Sequence, residues 1–230
     1  MGLLGSTVLA ALMVATPLDQ ISGQISGREQ AGDEAGALAL AEGWAAGDPR
    51  SPYGHLEAAR LGLKLGRDLE RVDAHLRNAY ALAPDNPRAL HLWGLLEEER
   101  GDVEGARGAQ RRALSLRQDY AEARVRLAAL AQRVGDWPEA ERELRTLIDS
   151  GDRSAGTRIQ LASVQQKQGR MVEAERTLVE LHRSEPQNAA ATRALADLYA
   201  HSGRSKQSAA LLRSLDPPKR ELRPLRSSRH

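Results

Sequence analysis

Six histidines, His55, His75, His91, His182, His201 and His230, are the side chains of this chain best suited to ligate a metal or carry a proton. No two stand three or four residues apart, so no single helix could present a zinc-binding pair. Cysteine is absent, which excludes disulfides, thiol nucleophiles, cysteine-ligated zinc and cysteine-linked lipid anchors. The acidic run Glu97-Glu98-Glu99 reads as a solvated helix end. No Gly-rich loop closes on Lys-Ser or Lys-Thr to cradle a phosphate, and no Gly-x-Ser-x-Gly turn exposes a serine. The sequence therefore predicts neither catalytic residues, nor a cofactor, nor a metal site, and the chain is expected not to be an enzyme.

The elements that would hold any site are helices. Apolar residues make up 41% of the chain, Phe is absent and Trp plus Tyr amount to 3%, so the core must be built from Ala and Leu. Strong helix formers dominate and β-branched runs are missing, which predicts an all-α protein. The net charge of +2 is unevenly spread. From Pro217 to His230 five basic residues stand against Glu221, leaving the rest of the chain close to neutral. Nucleic acid is disfavoured as a partner on this balance, and a membrane contact is left open.

The N-terminus carries the apolar stretch LLGSTVLAALMVA from Leu3 to Ala15. It is too short to span a bilayer, which takes about 20 residues, and suits the core of a secretory signal. No Lys or Arg precedes it and the region around Val14-Ala15-Thr16 is a poor cleavage site. An export signal, an apolar helix packed on the body, and a misassigned or disordered start all remain open. The first favours an exported, periplasmic location over a cytoplasmic one.

Periodicity organises the rest. Gly101, Gly135, Gly169 and Gly203 are spaced by 34 residues, in the phrases GDVEGA, GDWPEA, GRMVEA and GRSKQS. Five residues after the first three come Ala106, Ala140 and Ala174, and after the fourth Ser208. Gly94, Ala128, Ala162 and Ala196 keep the same period, each preceded by a large apolar residue: Trp93, Leu127, Leu161 and Leu195. Leu144, Leu178 and Leu212 follow, then Leu147, Leu181 and Leu215, while Pro84 and Pro186 close two repeats. Only small residues fit where two antiparallel helices cross, so Ala140 and Ala174 are expected to be buried. Asn86-Pro87 predicts a capped helix start.

This pattern resembles the tetratricopeptide repeat family. Four repeats match in register, 87–120, 121–154, 155–188 and 189–222. A fifth, 53–86, matches through Leu76, Ala79 and Pro84 with its turn at Gly66-Arg67-Asp68 one residue out of step. Residues 18–52 read as a degenerate N-terminal helical unit marked by Gly32-Asp33 and Pro49, preceded by the apolar segment 1–17. A basic tail, 217–230, is expected to be disordered and overlaps the last repeat. Departures include Gln110, where the family has an aromatic in the second helix, and the missing early Trp in most first helices.

The resemblance implies a right-handed superhelical solenoid of antiparallel helix pairs whose first helices line a concave face. Positions off the packing stripe then give a candidate partner-binding groove: Arg88, His91 and Glu98; Arg126, Gln132 and Arg133; Gln160, Gln166 and Lys167; Arg193 and Asp197. Arg126, Arg133, Lys167 and Arg193 could form a ladder for carboxylates. The expected function is a scaffold or adaptor binding a peptide segment or partner protein, with assembly of an envelope complex as one setting. Two alternatives stand beside it: contact of the tail with an anionic membrane or nucleic acid, and an accessory role to an enzyme whose active site is on another chain. Leu211, Leu212 and Leu215 on the final helix are expected to leave an end face open to self-association.

Overall fold

The computed structural model describes residues 18–215; the apolar segment 1–17 and the basic tail from 217 lie outside the described residues. Twelve helices and no strand occupy this range: α1 Leu18–Gln30, α2 Glu34–Gly47, α3 Pro52–Lys64, α4 Leu69–Leu82, α5 Pro87–Glu99, α6 Val103–Leu116, α7 Ala121–Arg133, α8 Trp137–Asp149, α9 Ala155–Lys167, α10 Met171–Ser184, α11 Ala189–His201 and α12 Ser205–Leu215. They form two compact units, divided after Asp136. In the N-terminal unit each helix from α1 to α7 packs on the next, and α3 also touches α5. In the C-terminal unit α8 to α12 pack in the same consecutive order, and α9 also touches α11.

Glycine sets the turns. Gly32, Gly66, Gly101, Gly135, Gly169 and Gly203 all have positive φ, between 58° and 83°, a conformation other residues adopt only with strain. At Gly101 the amide donates to the Glu98 carbonyl and the next amide, Asp102, to the Glu97 carbonyl, at 3.0 and 2.9 Å. The same pair of bonds recurs at the other five turns. This is the Schellman closure, which satisfies the last carbonyls of the preceding helix. Asp33, Asp68 and Asp102 then cap the helices that follow. The misstep at Gly66 has a local cause: the turn from α3 to α4 holds four residues, 65–68, whereas that from α5 to α6 holds three, 100–102. As expected, Asn86 caps α5 and Pro87 opens it.

The periodic small residues lie at the crossings. Ala106, Ala140, Ala174, Ala128, Ala162 and Ala196 are all fully buried. In the N-terminal unit Leu56 and Ala59 of α3, Leu76 and Ala79 of α4, and Ala89, Leu92 and Leu96 of α5 form one cluster. In the C-terminal unit Ala162, Ala174, Leu178, Leu195 and Leu198 do the same. Periodicity fails at the end. Leu144 and Leu178 are buried, but their counterpart Leu212 is 43% exposed, because no described helix follows α12 to cover it. Leu211 instead packs partly against the α9–α11 core.

Gln110 explains Gly94. A Cβ at Gly94 would lie 2.4 Å from the Gln110 Nε2, so Gly opens the space that a fully buried amide needs. That amide is satisfied: Nε2 donates to the His91 carbonyl at 3.1 Å, and Oε1 lies 2.8 Å from His91 Nδ1. Since Oε1 can only accept, Nδ1 carries the proton.

Candidate protein-interaction surface

The first helices are α1, α3, α5 and α7 in the N-terminal unit, and α9 and α11 in the C-terminal unit. On α3, α5 and α7 most candidate side chains are already engaged. Arg88 reaches Glu57 of α3 at 2.5 Å, and Glu57 also accepts from Arg60 at 2.9 Å. Arg60 continues to Glu29 of α1 at 2.6 Å, where Lys64 also binds at 3.0 Å. Charge-assisted bonds of this kind, led by the one from Arg60, hold the Glu29 carboxyl down at about 2. Further along, Glu98 meets Arg133 at 2.9 Å and Arg126 at 3.7 Å. Gln132 bonds back to the Ala128 carbonyl at 3.3 Å. His91 is turned inward to Gln110, its ring 5.2 Å from that of Tyr120, and burial lowers its pKa. A depression of about 340 Å³ survives here, lined by Arg60, Leu63, Lys64, Leu92, Leu95, Glu98, Glu99 and Arg126.

The C-terminal unit is different. Gln160, Ser163 and Lys167 lie exposed along one face of α9, at helical spacing. Arg193 and Asp197 lie exposed on α11, and Gln166 is half-buried. Neither Lys167 nor Arg193 forms an ion pair among the described residues. The structure therefore splits the expected cationic ladder: Arg126 and Arg133 share Glu98, while Lys167 and Arg193 stand without a carboxylate.

The ion pairs of the C-terminal unit sit on its turns and second helices. Arg170, the residue after the turn glycine, forms a two-pronged pair with Glu141 of α8 at 2.6 and 2.7 Å. Arg204, at the same place one repeat on, holds Glu175 of α10 at 2.7 Å through both nitrogens. In the N-terminal unit the charges are exchanged: Asp136 follows the turn glycine and pairs with Arg107 of α6 at 2.5 Å. Each clasp spans 29 residues. The Schellman turn fixes the backbone of one partner, and the residue after the buried Ala of the second helix supplies the other. Sequence reading missed these clasps. Reciprocal charge at an offset of 29 was the available signal.

It also missed a contact between two histidines. Nδ1 of His55 on α3 lies 3.0 Å from Nδ1 of His75 on α4. One ring must donate and the other accept, so at least one is neutral. Burial lowers both pKa values, and for His75 the neighbouring His55 and Arg71 lower it further. No group of three or more potential ligands gathers to hold a metal among the described residues.

Stacked, antiparallel helix pairs with small residues at the crossings and glycine turns define a helical repeat protein. Residues 165–225 match the family model for the tetratricopeptide repeat. Among solved structures, PilF of Pseudomonas aeruginosa is similar at 17% identity and a TM-score of 0.69, with 93% of this chain and 95% of that one covered. YrrB, described as a TPR protein with an unusual peptide-binding site, is similar at 16% identity and a TM-score of 0.63, covering 76% of this chain and 91% of its own. A chain of the Naa15/Naa10 complex bound to HypK-THB is similar at 16% and 0.57, covering 85% of this chain and 30% of that one. No curated protein is significantly similar in sequence. Residues 165–225 thus match the tetratricopeptide repeat in sequence, and the fold is that of the tetratricopeptide-repeat structures it resembles.

Proposed function

We propose that the chain is a non-catalytic scaffold that binds an acidic peptide segment or partner protein across the α9–α11 face of its C-terminal unit. The carrying observation is that Lys167 and Arg193, alone among the cationic candidates, are exposed without a carboxylate partner. Gln160 and Ser163 supply hydrogen-bonding groups on the same face of α9. A carboxylate reaching Lys167 or Arg193 gains a charge-assisted bond without breaking an existing pair. The peptide-binding site of YrrB and the complexed state of the Naa15/Naa10 chain support a binding role on this fold. If residues 1–17 act as an export signal, the scaffold works in an envelope complex. N-terminal sequencing of the mature protein tests that directly, a start at Met1 being the contrary result.

A photo-crosslinking residue at Gln160 tests the surface. In cells it should capture a partner that is lost when Lys167→Ala and Arg193→Ala are combined. Capture only from a control position on α10, such as Arg176, or capture indifferent to the double substitution, rejects the α9–α11 face.

A further inference from the structure

The repeat at 87–120 departs from its neighbours on the outer side of its second helix. Where α8 carries Glu139, Arg142 and Glu143, and α10 carries Glu173, Arg176 and Thr177, the equivalent residues of α6 are Gly105, Gly108 and Ala109. Their absent side chains leave a pocket of about 430 Å³ between α4, α5 and α6. Leu90 and Trp93 of α5 and Tyr80 of α4 line it, and the two aromatic rings meet edge to face at 6.0 Å.

Gly105 has a local reason, since a Cβ there would press on the Asp102 cap at 2.4 Å. Gly108 has none. A Cβ at Gly108 would meet nothing within 4 Å, yet glycine inside a helix is destabilising relative to alanine. Its structural effect is to leave the pocket beside half-buried Trp93 open.

The rim is electrostatically one-sided. The rim carboxylate, Glu97, is occupied by the Trp93 indole N–H at 3.1 Å and by Arg100 at 3.3 Å. Arg112 touches the Tyr80 hydroxyl at 3.2 Å and has no carboxylate partner among the described residues. We infer that this pocket is a second docking site, separate from the α9–α11 face. It takes one bulky apolar side chain of a partner peptide that carries Asp or Glu beside it. The apolar group packs on Trp93 over Gly108, and the acid pairs with Arg112. A basic segment, such as this chain's own tail, is disfavoured by Arg112.

Random dodecapeptides displayed on phage are selected against the full chain, counter-selected against the Gly108→Arg variant, synthesised and titrated by fluorescence polarisation. Gly108→Arg installs what α8 carries at Arg142, in open space, so its melting temperature should equal or exceed that of the parent. Peptides pairing a bulky apolar residue with Asp or Glu should be enriched. Gly108→Arg should weaken them at least tenfold and Arg112→Gln about three- to tenfold, while Lys167→Ala with Arg193→Ala leaves them unchanged. Peptides lost only with the latter pair report on the α9–α11 face and leave the pocket without a ligand of its own. Failure to obtain any peptide selective for the parent over Gly108→Arg overturns the inference, as does enrichment of peptides without acid. Displacement of the selected peptides by a synthetic peptide of residues 1–17 would assign the pocket to this chain's own apolar segment and equally overturn docking of a partner.

Discussion

The two compact units use the same helix pair and differ in how the cations on its first-helix face are partnered. On the first helices of the N-terminal unit, Glu29, Glu57 and Glu98 neutralise the arginines beside them. In the C-terminal unit the acids Glu141 and Glu175 lie on the second helices and are clasped from the turns. The first-helix face there keeps Lys167 and Arg193 unpaired. An arginine at a groove position is thus a poor sign of a binding site until its neighbours one repeat away are counted. A first-helix face whose cations have no carboxylate within reach is what the proposed binding role requires.

The comparison assumes that both units are built on the same small-residue crossings, and the largest expected effect tests that. Ala106→Arg in the N-terminal unit and Ala174→Arg in the C-terminal one each force a long charged side chain into a fully buried site. Each should destabilise by roughly 3 kcal/mol or more through overpacking and a buried charge, read from chemical unfolding. A variant that melts as the parent does would remove that unit from the scheme.

The next effect separates structural from available charge. Glu57 is buried and joins Arg60 and Arg88. Glu57→Gln should lower stability by about 1–2 kcal/mol, because it weakens two charge-assisted bonds. Combining Lys167→Ala with Arg193→Ala should change it by no more than about 0.5 kcal/mol, as for exposed residues without partners. Equal losses would erase the distinction between the two faces.

A smaller, pH-dependent effect belongs to the N-terminal unit. Burial lowers the pKa of His55, His75 and His91 in the folded state, so the unfolded chain binds protons more readily. Their contribution is intact above the unfolded imidazole value of about 6.5 and is lost as the pH falls below it. Arg71 beside His75 acts in the same sense, as do Arg88 and Arg126 near His91, whereas Glu122 and the Gln110 bond oppose it. Thermal melts from pH 7.5 down to 5.5 should show falling stability, with a flatter profile in the His55→Asn, His75→Asn double variant. A parent profile that rises toward acid would contradict the pairing.

Most of the fold was legible because its determinants are local and periodic. A turn glycine needs positive φ whatever surrounds it, and a crossing admits only small residues, so Gly135 or Ala174 announces itself. The exposure of Leu212 was half legible: the end face was expected, but Leu211 proved to be packed inward. The candidate site was legible only as positions. Which of Arg88, Arg126, Arg133, Lys167 and Arg193 remain available depends on acids 28 to 35 residues distant, brought alongside by stacking. His55 with His75, and His91 with Gln110, were hidden for the same reason, since each pair joins two helices and neither residue is remarkable alone.

The central claim is that the α9–α11 face, and not the first-helix face of the N-terminal unit, is open to acidic segments. It is tested most directly by polarisation titration of a pool of fluorescein-labelled decapeptides, each with a free C-terminal carboxylate, at least two Asp or Glu residues and no bulky apolar residue that the α4–α6 pocket could take. Combining Lys167→Ala with Arg193→Ala should weaken binding of the pool at least tenfold, while combining Arg126→Ala with Arg133→Ala should leave it within about twofold. The reverse order, or no binding by the parent, would contradict the account.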